Sequence, residues 1–250
     1  MSSLESAGHT PGHPFNEGLQ VADVLQRYGR CLELIPADPH FQDISVGLYA
    51  KDGVYTVWSF SRKAGVAARL GQIRDQMAVL GGLAPVESSP IQVSFPCGNP
   101  HLRPLKFLLA QAVGKSPDYT AAHDSSDQRS TPTRRGTKPD LSIKDTKSSL
   151  ILNVSGEEQD DRYVYHVSAE GDAANAPLRL RAVVTGFVRY GEMEKVGDTV
   201  VTFPCGQRHD DLIRIVLPYS RNVSAVENLM EEEALRGQMT TGTLGFTPTV

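Results

Sequence analysis

Residues 93–101 read VSFPCGNPH, and residues 201–209 read VTFPCGQRH. Each copy follows a short β-branched run and precedes an amphipathic one, so each is expected at a strand-to-helix junction. Pro96 and Pro204 cannot donate to a sheet ladder and mark the end of regular pairing. Gly98 and Gly206 permit a tight turn or a close backbone approach. Cys97 and Cys205 then fall just before a helix, where free N–H groups and the helix dipole favour negative charge and hence a thiolate. His101 and His209, four residues on, are expected in the first helical turn, within reach of the cysteine.

Working outward from the first copy, HLRPLKFLLAQAVG places Leu102, Leu105, Leu108, Leu109 and Ala112 on one helical face. Upstream, Val66, Leu70, Ile73, Met77 and Leu80 give a second helix, stopped by Gly81-Gly82. ISVGLYA and VYTVWSF read as strands of a hairpin closed at Lys51-Asp52-Gly53. Before them, GLQVADVLQRYGRCLEL predicts a helix over residues 18–34, with Cys31 in its buried face.

The second copy has similar surroundings. LILNVSG and RYVYHVSA pair around residues 157–161, PLRLRAVVTGFVRYGEM reads as a helix, and TVVTF as a strand. HDDLIRIVLPYSRNV reads as another helix, bent or ended near Pro218. At an offset of 108 the hairpins and the motifs align without a gap, setting Val46 against Val154, Asp52 against Asp160 and Tyr55 against Tyr163. The intervening helices register better with a further shift of two.

These elements predict an α+β protein made of two tandem ββαβα repeats related by an internal pseudo-twofold, with an extra N-terminal helix and a disordered central linker. A unit of about 70 residues can barely bury its own core, which two packed copies would relieve. The expected boundaries are a disordered leader over 1–17, a first repeat over 18–114, a linker over 115–149, a second repeat over 150–237 and a tail over 238–250. The linker is poor in apolar residues and rich in Ser, Thr, Asp, Pro and Arg. SAVENLMEEEALRG is expected as a final acidic helix closing the second repeat.

Hydrophobic residues make up 40% and charged residues 22% of the 250, an ordinary soluble composition. A net charge of −4 without a clustered basic face argues against nucleic acid as a partner. No run of roughly 20 apolar residues suggests a membrane span. The first residues lack a secretory pattern, so a cytoplasmic location is expected, with three cysteines held as free thiols. The chain has no P-loop, no G-x-G-x-x-G and no H-E-x-x-H.

Three chemistries fit the repeated motif. Cys205 with His209 could form a nucleophilic dyad, oriented by Asp210 or Asp211, which only the second copy carries. Cys97, His101, Cys205 and His209 would make a Cys2His2 zinc site if the two motifs converge. The helix starts, with Gly98 and Gly206, could instead take a small anion. A purely structural reading competes with all three, because Cys packs well, Gly makes turns and His can bond backbone groups. With no complete catalytic constellation present, the expectation is a non-catalytic binding or assembly module. Its paired strand–helix junctions would face an unidentified protein or a small anionic ligand; a thiol-dependent enzyme is the alternative.

Overall fold

The computed structural model describes residues 19–38, 44–114, 141–145, 149–171 and 174–224. The chain divides into two compact units, Met1–Ser116 and Pro117–Val250. Among the described residues there are five helices and two five-stranded antiparallel sheets, an α+β architecture. None of those helices is long and apolar enough to cross a membrane. The expected leader, tail and acidic C-terminal helix lie outside the described residues, apart from Ser224.

In the first unit, helix α1 (Val21–Tyr28) is followed at once by strand β1 (Arg30–Ile35). The helix expected over 18–34 therefore ends six residues early, and Gly29 explains why. Its φ is +82°, and a Cβ there would stand 2.1 Å from the Ala50 carbonyl oxygen, so only glycine lets the chain turn against strand β2 (Val46–Lys51). Cys31 consequently lies exposed on β1 rather than in a helical core. Strand β3 (Val54–Trp58) pairs with β2 through a two-residue turn in which Asp52 and Gly53 both have positive φ. Such a turn matches the twist of the paired strands.

Helix α2 (Val66–Gly81) leads to the short strand β4 (Ala84–Pro85), then β5 (Gln92–Ser94) and helix α3 (Leu102–Ala112). The sheet order is β1-β2-β3-β5-β4. Leu70, Ile73 and Met77 of α2 and Leu105, Leu108 and Leu109 of α3 have no exposed surface. Each such side chain contributes about 1.5–3 kcal/mol by leaving water. On the remaining helix, Tyr28 meets Trp58 with ring centroids 5.2 Å apart.

In the second unit the first described element is β6 (Leu141–Lys144), which lies inside the segment expected to be a disordered linker. Its alternating half-buried and exposed residues suit an edge strand, and it pairs with β7 (Ile151–Gln159) from Leu141↔Val154 to Lys144↔Ile151. Strand β8 (Arg162–Glu170), helix α4 (Ala176–Gly191), β9 (Glu194–Lys195), β10 (Val200–Thr202) and helix α5 (Asp210–Ser220) follow. Helix α5 includes Pro218 and ends two residues later, at Ser220. The sheet order, β6-β7-β8-β10-β9, has the same form as the first. Each unit thus holds a third long strand and a two-residue strand that the ββαβα pattern omits.

Buried Arg179 on α4 ties this unit together. Its Nε and Nη2 donate to Asp145 at 2.6 and 2.9 Å, and its Nη1 donates to the Val223 carbonyl at 2.5 Å. Three hydrogen bonds from this paired guanidinium satisfy a charge that would be costly if left alone.

Strand pairing corrects the sequence alignment of the hairpins. On β3, Tyr55 opposes Val93; on β8, it is Tyr165, not Tyr163, that opposes the equivalent Val201. The second hairpin has moved on by two residues relative to the motif strand. A shift of two preserves which side chains face the core, whereas a shift of one would invert them.

Candidate metal centre

Both motif corners are built alike. Gly98 N–H donates to the Phe95 carbonyl at 3.0 Å, and Gly206 N–H to the Phe203 carbonyl at 2.8 Å. Each Phe-Pro-Cys-Gly is thus a β-turn with proline at its second position, where a fixed φ is favourable. The turn-ending glycines have φ of +72° and +70°, and this is the role the structure gives them. One residue further, the N–H groups of Asn99 and Gln207 each point at the preceding cysteine Sγ, 3.4 Å away.

The histidines sit at the N-cap of α3 and of α5, one position before the helical turn in which they were expected. Neither ring caps its helix, so both can turn towards sulfur. His101 Nε2 lies 3.4 Å from Cys97 Sγ, and His209 Nε2 lies 3.2 Å from Cys205 Sγ. The motif phenylalanine holds each imidazole edge-to-face, with centroids 4.8 Å apart for Phe95–His101 and 5.1 Å for Phe203–His209. Phe95 and Phe203 are both buried, and so is His101, at 1% exposure.

The second corner carries further groups. Tyr165 Oη accepts from the His209 backbone N–H at 2.6 Å and donates to Asp210 Oδ1 at 3.2 Å. Asp210 also accepts from the Arg208 guanidinium, through Nε at 2.8 Å and through Nη2. Burial pushes the Tyr165 phenol well above the ordinary tyrosine value, so it stays a hydroxyl. Burial lowers the His209 pKa, against a smaller opposing effect of the Asp210 charge, and this favours the neutral imidazole that binds metals. Asp211 accepts from Arg214 at 3.3 Å.

Cys97 with His101 in the first unit, and Cys205 with His209 in the second, are thus two matching thiol–imidazole pairs. Away from the motifs, His166 on β8 pairs with Glu157 at 3.0 Å, and Ser61, in the loop before α2, accepts from the Lys63 N–H. Sequence reading missed the ring contacts of Phe95 and Phe203, although both belong to the motif. It also missed Tyr165 and Arg208, since Tyr165 reaches the corner only through strand pairing.

No protein-family model matches the chain, and comparison with curated proteins and with solved structures likewise returned no match.

Proposed function

We propose that Cys97, His101, Cys205 and His209 bind one zinc ion, and that the protein is a non-catalytic module whose fold the ion stabilises. The observation that carries this reading is the recurrence, at both corners, of a thiol and an imidazole nitrogen at metal-ligand spacing. In a tetrahedral zinc site, Zn–S near 2.3 Å and Zn–N near 2.0–2.1 Å set sulfur and nitrogen about 3.5 Å apart. The pairs at 3.4 and 3.2 Å are close to that spacing. Two soft thiolates with two imidazoles suit zinc over magnesium or calcium, which prefer oxygen. The amide N–H groups aimed at each sulfur support a thiolate, and burial of His209 supports a neutral ring.

Four protein ligands leave zinc no open position for substrate water, the condition of a structural rather than a catalytic ion. We further infer that the two units descend from one duplicated ancestor. The shared strand order, the equal lengths of α2 and α4 and of α3 and α5, and the matching corners support this. Duplication would supply each half of the ligand set with the same geometry.

The test is metal analysis of protein purified without added chelator and after zinc reconstitution. One equivalent per chain is expected, with a lowered unfolding temperature after chelation. A chain that takes up no zinc in either preparation contradicts the reading. The 3.2 Å contact of Cys205 with His209 keeps a thiol-enzyme reading in play. Metal-free protein should separate the two: iodoacetamide would label a nucleophilic Cys205 far faster than Cys97, whereas equivalent ligand cysteines should react at similar rates.

A further inference from the structure

We propose that Tyr165 is a positioning residue for the zinc ligand His209, so that the second corner holds the ion more firmly than the first. This rests on the zinc reading and goes beyond it by assigning unequal tasks to the two ligand pairs.

Tyr165 reaches His209 by two routes. Its ring meets Phe203 edge-on at 6.0 Å, and Phe203 meets the His209 imidazole edge-on in turn. Its hydroxyl accepts from the His209 backbone N–H and donates to Asp210, the next residue in the chain. Residues 209 and 210 are thereby both tied to one atom on β8, while Arg208 holds the Asp210 carboxylate from the other side. Tyr165 is itself fixed, being buried and opposite Val201 in the ladder that leads into the corner. Rotating or withdrawing the His209 ring from a metal would mean breaking this tie.

The ring relay also exists at the first corner, where Tyr55 meets Phe95 at 5.6 Å and Phe95 meets His101. There Pro100 and Leu102 flank the histidine where Arg208 and Asp210 flank His209. Neither side chain can accept or donate a hydrogen bond, so the hydroxyl–carboxylate clamp belongs to the second corner. Groups that orient a metal-bound histidine typically change metal affinity by roughly 10- to 100-fold when removed.

The experiment compares wild type with Tyr165→Phe, which keeps the ring relay and deletes only the hydroxyl. Zinc affinity is measured by competition with a chromophoric chelator, and geometry by the visible absorption of the cobalt(II) form. The proposal expects Tyr165→Phe to bind zinc roughly 10- to 100-fold more weakly. It also expects faster zinc transfer to the chelator and an altered cobalt band pattern at saturation. A purely architectural Tyr165 would lower the unfolding temperature of the metal-free protein and leave affinity and spectrum alone, and that result overturns the proposal. Wild type without zinc affinity overturns the metal reading and the positioning role together; wild type and variant binding alike overturn the positioning role only. Should Tyr165→Phe not fold, Asp210→Leu, which copies the residue of the first corner, takes its place. A smaller loss in the same direction is then expected, and unchanged affinity overturns the proposal.

Discussion

At the first corner His101 is closed in by Phe95 and almost completely buried, with Pro100 and Leu102 as its chain neighbours. At the second, His209 is more open, and Tyr165, Asp210 and Arg208 surround it with hydrogen bonds. The turn, the N–H aimed at sulfur and the edge-on phenylalanine are common to both. The common parts are those that set the Sγ-to-Nε2 distance. What varies is the histidine's surroundings: a buried ring with apolar chain neighbours at one corner, a polar clamp on the backbone at the other.

The largest expected effect tests the common part. Phe95→Ala and Phe203→Ala should each destabilise the metal-free protein by about 3–5 kcal/mol, as buried aromatic deletions do. Urea unfolding of each variant measures it, and a cost below half of this at one corner would break the equivalence of the two rings. Next come the ligands. Structural zinc is worth about 10–16 kcal/mol, so losing one of four ligands should cost about 3 kcal/mol or more, at least on the order of 100-fold in affinity. Cys97→Ala and Cys205→Ala should therefore weaken zinc binding to a similar degree in the chelator competition. Loss at one cysteine alone would mean that the corners do not act together.

A smaller effect separates the two hairpins. The first turns on Asp52-Gly53, while the second turns on Asp160-Asp161, both with positive φ. An aspartate tolerates that region less well than glycine. Asp161→Gly should raise stability by about 0.5–1 kcal/mol, read from the shift in the denaturation midpoint; no gain would indicate that the longer hairpin relieves the strain in another way.

The smallest effect concerns acid. Folded His209 binds its proton less tightly than in the unfolded chain, where its pKa is about 6.5. The unfolded state then takes up more protons as pH drops below about 6.5, so this contribution is intact above that pH and is lost on further acidification. In metal-free protein the His209 ring resonances should titrate with a midpoint below 6.5, and a midpoint at or above it would contradict the burial described.

Much of the corner was legible because it is local: Pro, Cys, Gly and His stand within seven residues, and their turn and helix start follow from neighbouring backbone chemistry. Helices α2 and α4 were legible from their apolar periodicity, and the end of α2 from its glycine stop. Helix α1 was overextended because the spacing of Val21, Val24, Leu25 and Tyr28 does not reveal that Gly29 abuts the Ala50 carbonyl. Strand β6 is an edge strand with only half its residues turned inward, so it has no long apolar run to mark it. Strands β4 and β9, two exposed residues each, have no pattern at all. The position of Tyr165 depends on which residue of β8 opposes Val201, a long-range pairing that neither segment encodes alone.

Arg179 has a consequence for how the second unit comes apart. One guanidinium grips Asp145, just past β6, and the Val223 carbonyl, just past α5. The stretch from β6 to α5 is thereby closed into a ring by non-covalent means. Peeling away either β6 or the end of α5 strands a cation in an apolar interior, so both should release in one concerted opening. Amide protons of β6 and of the last turn of α5 should accordingly exchange with solvent at closely matched rates.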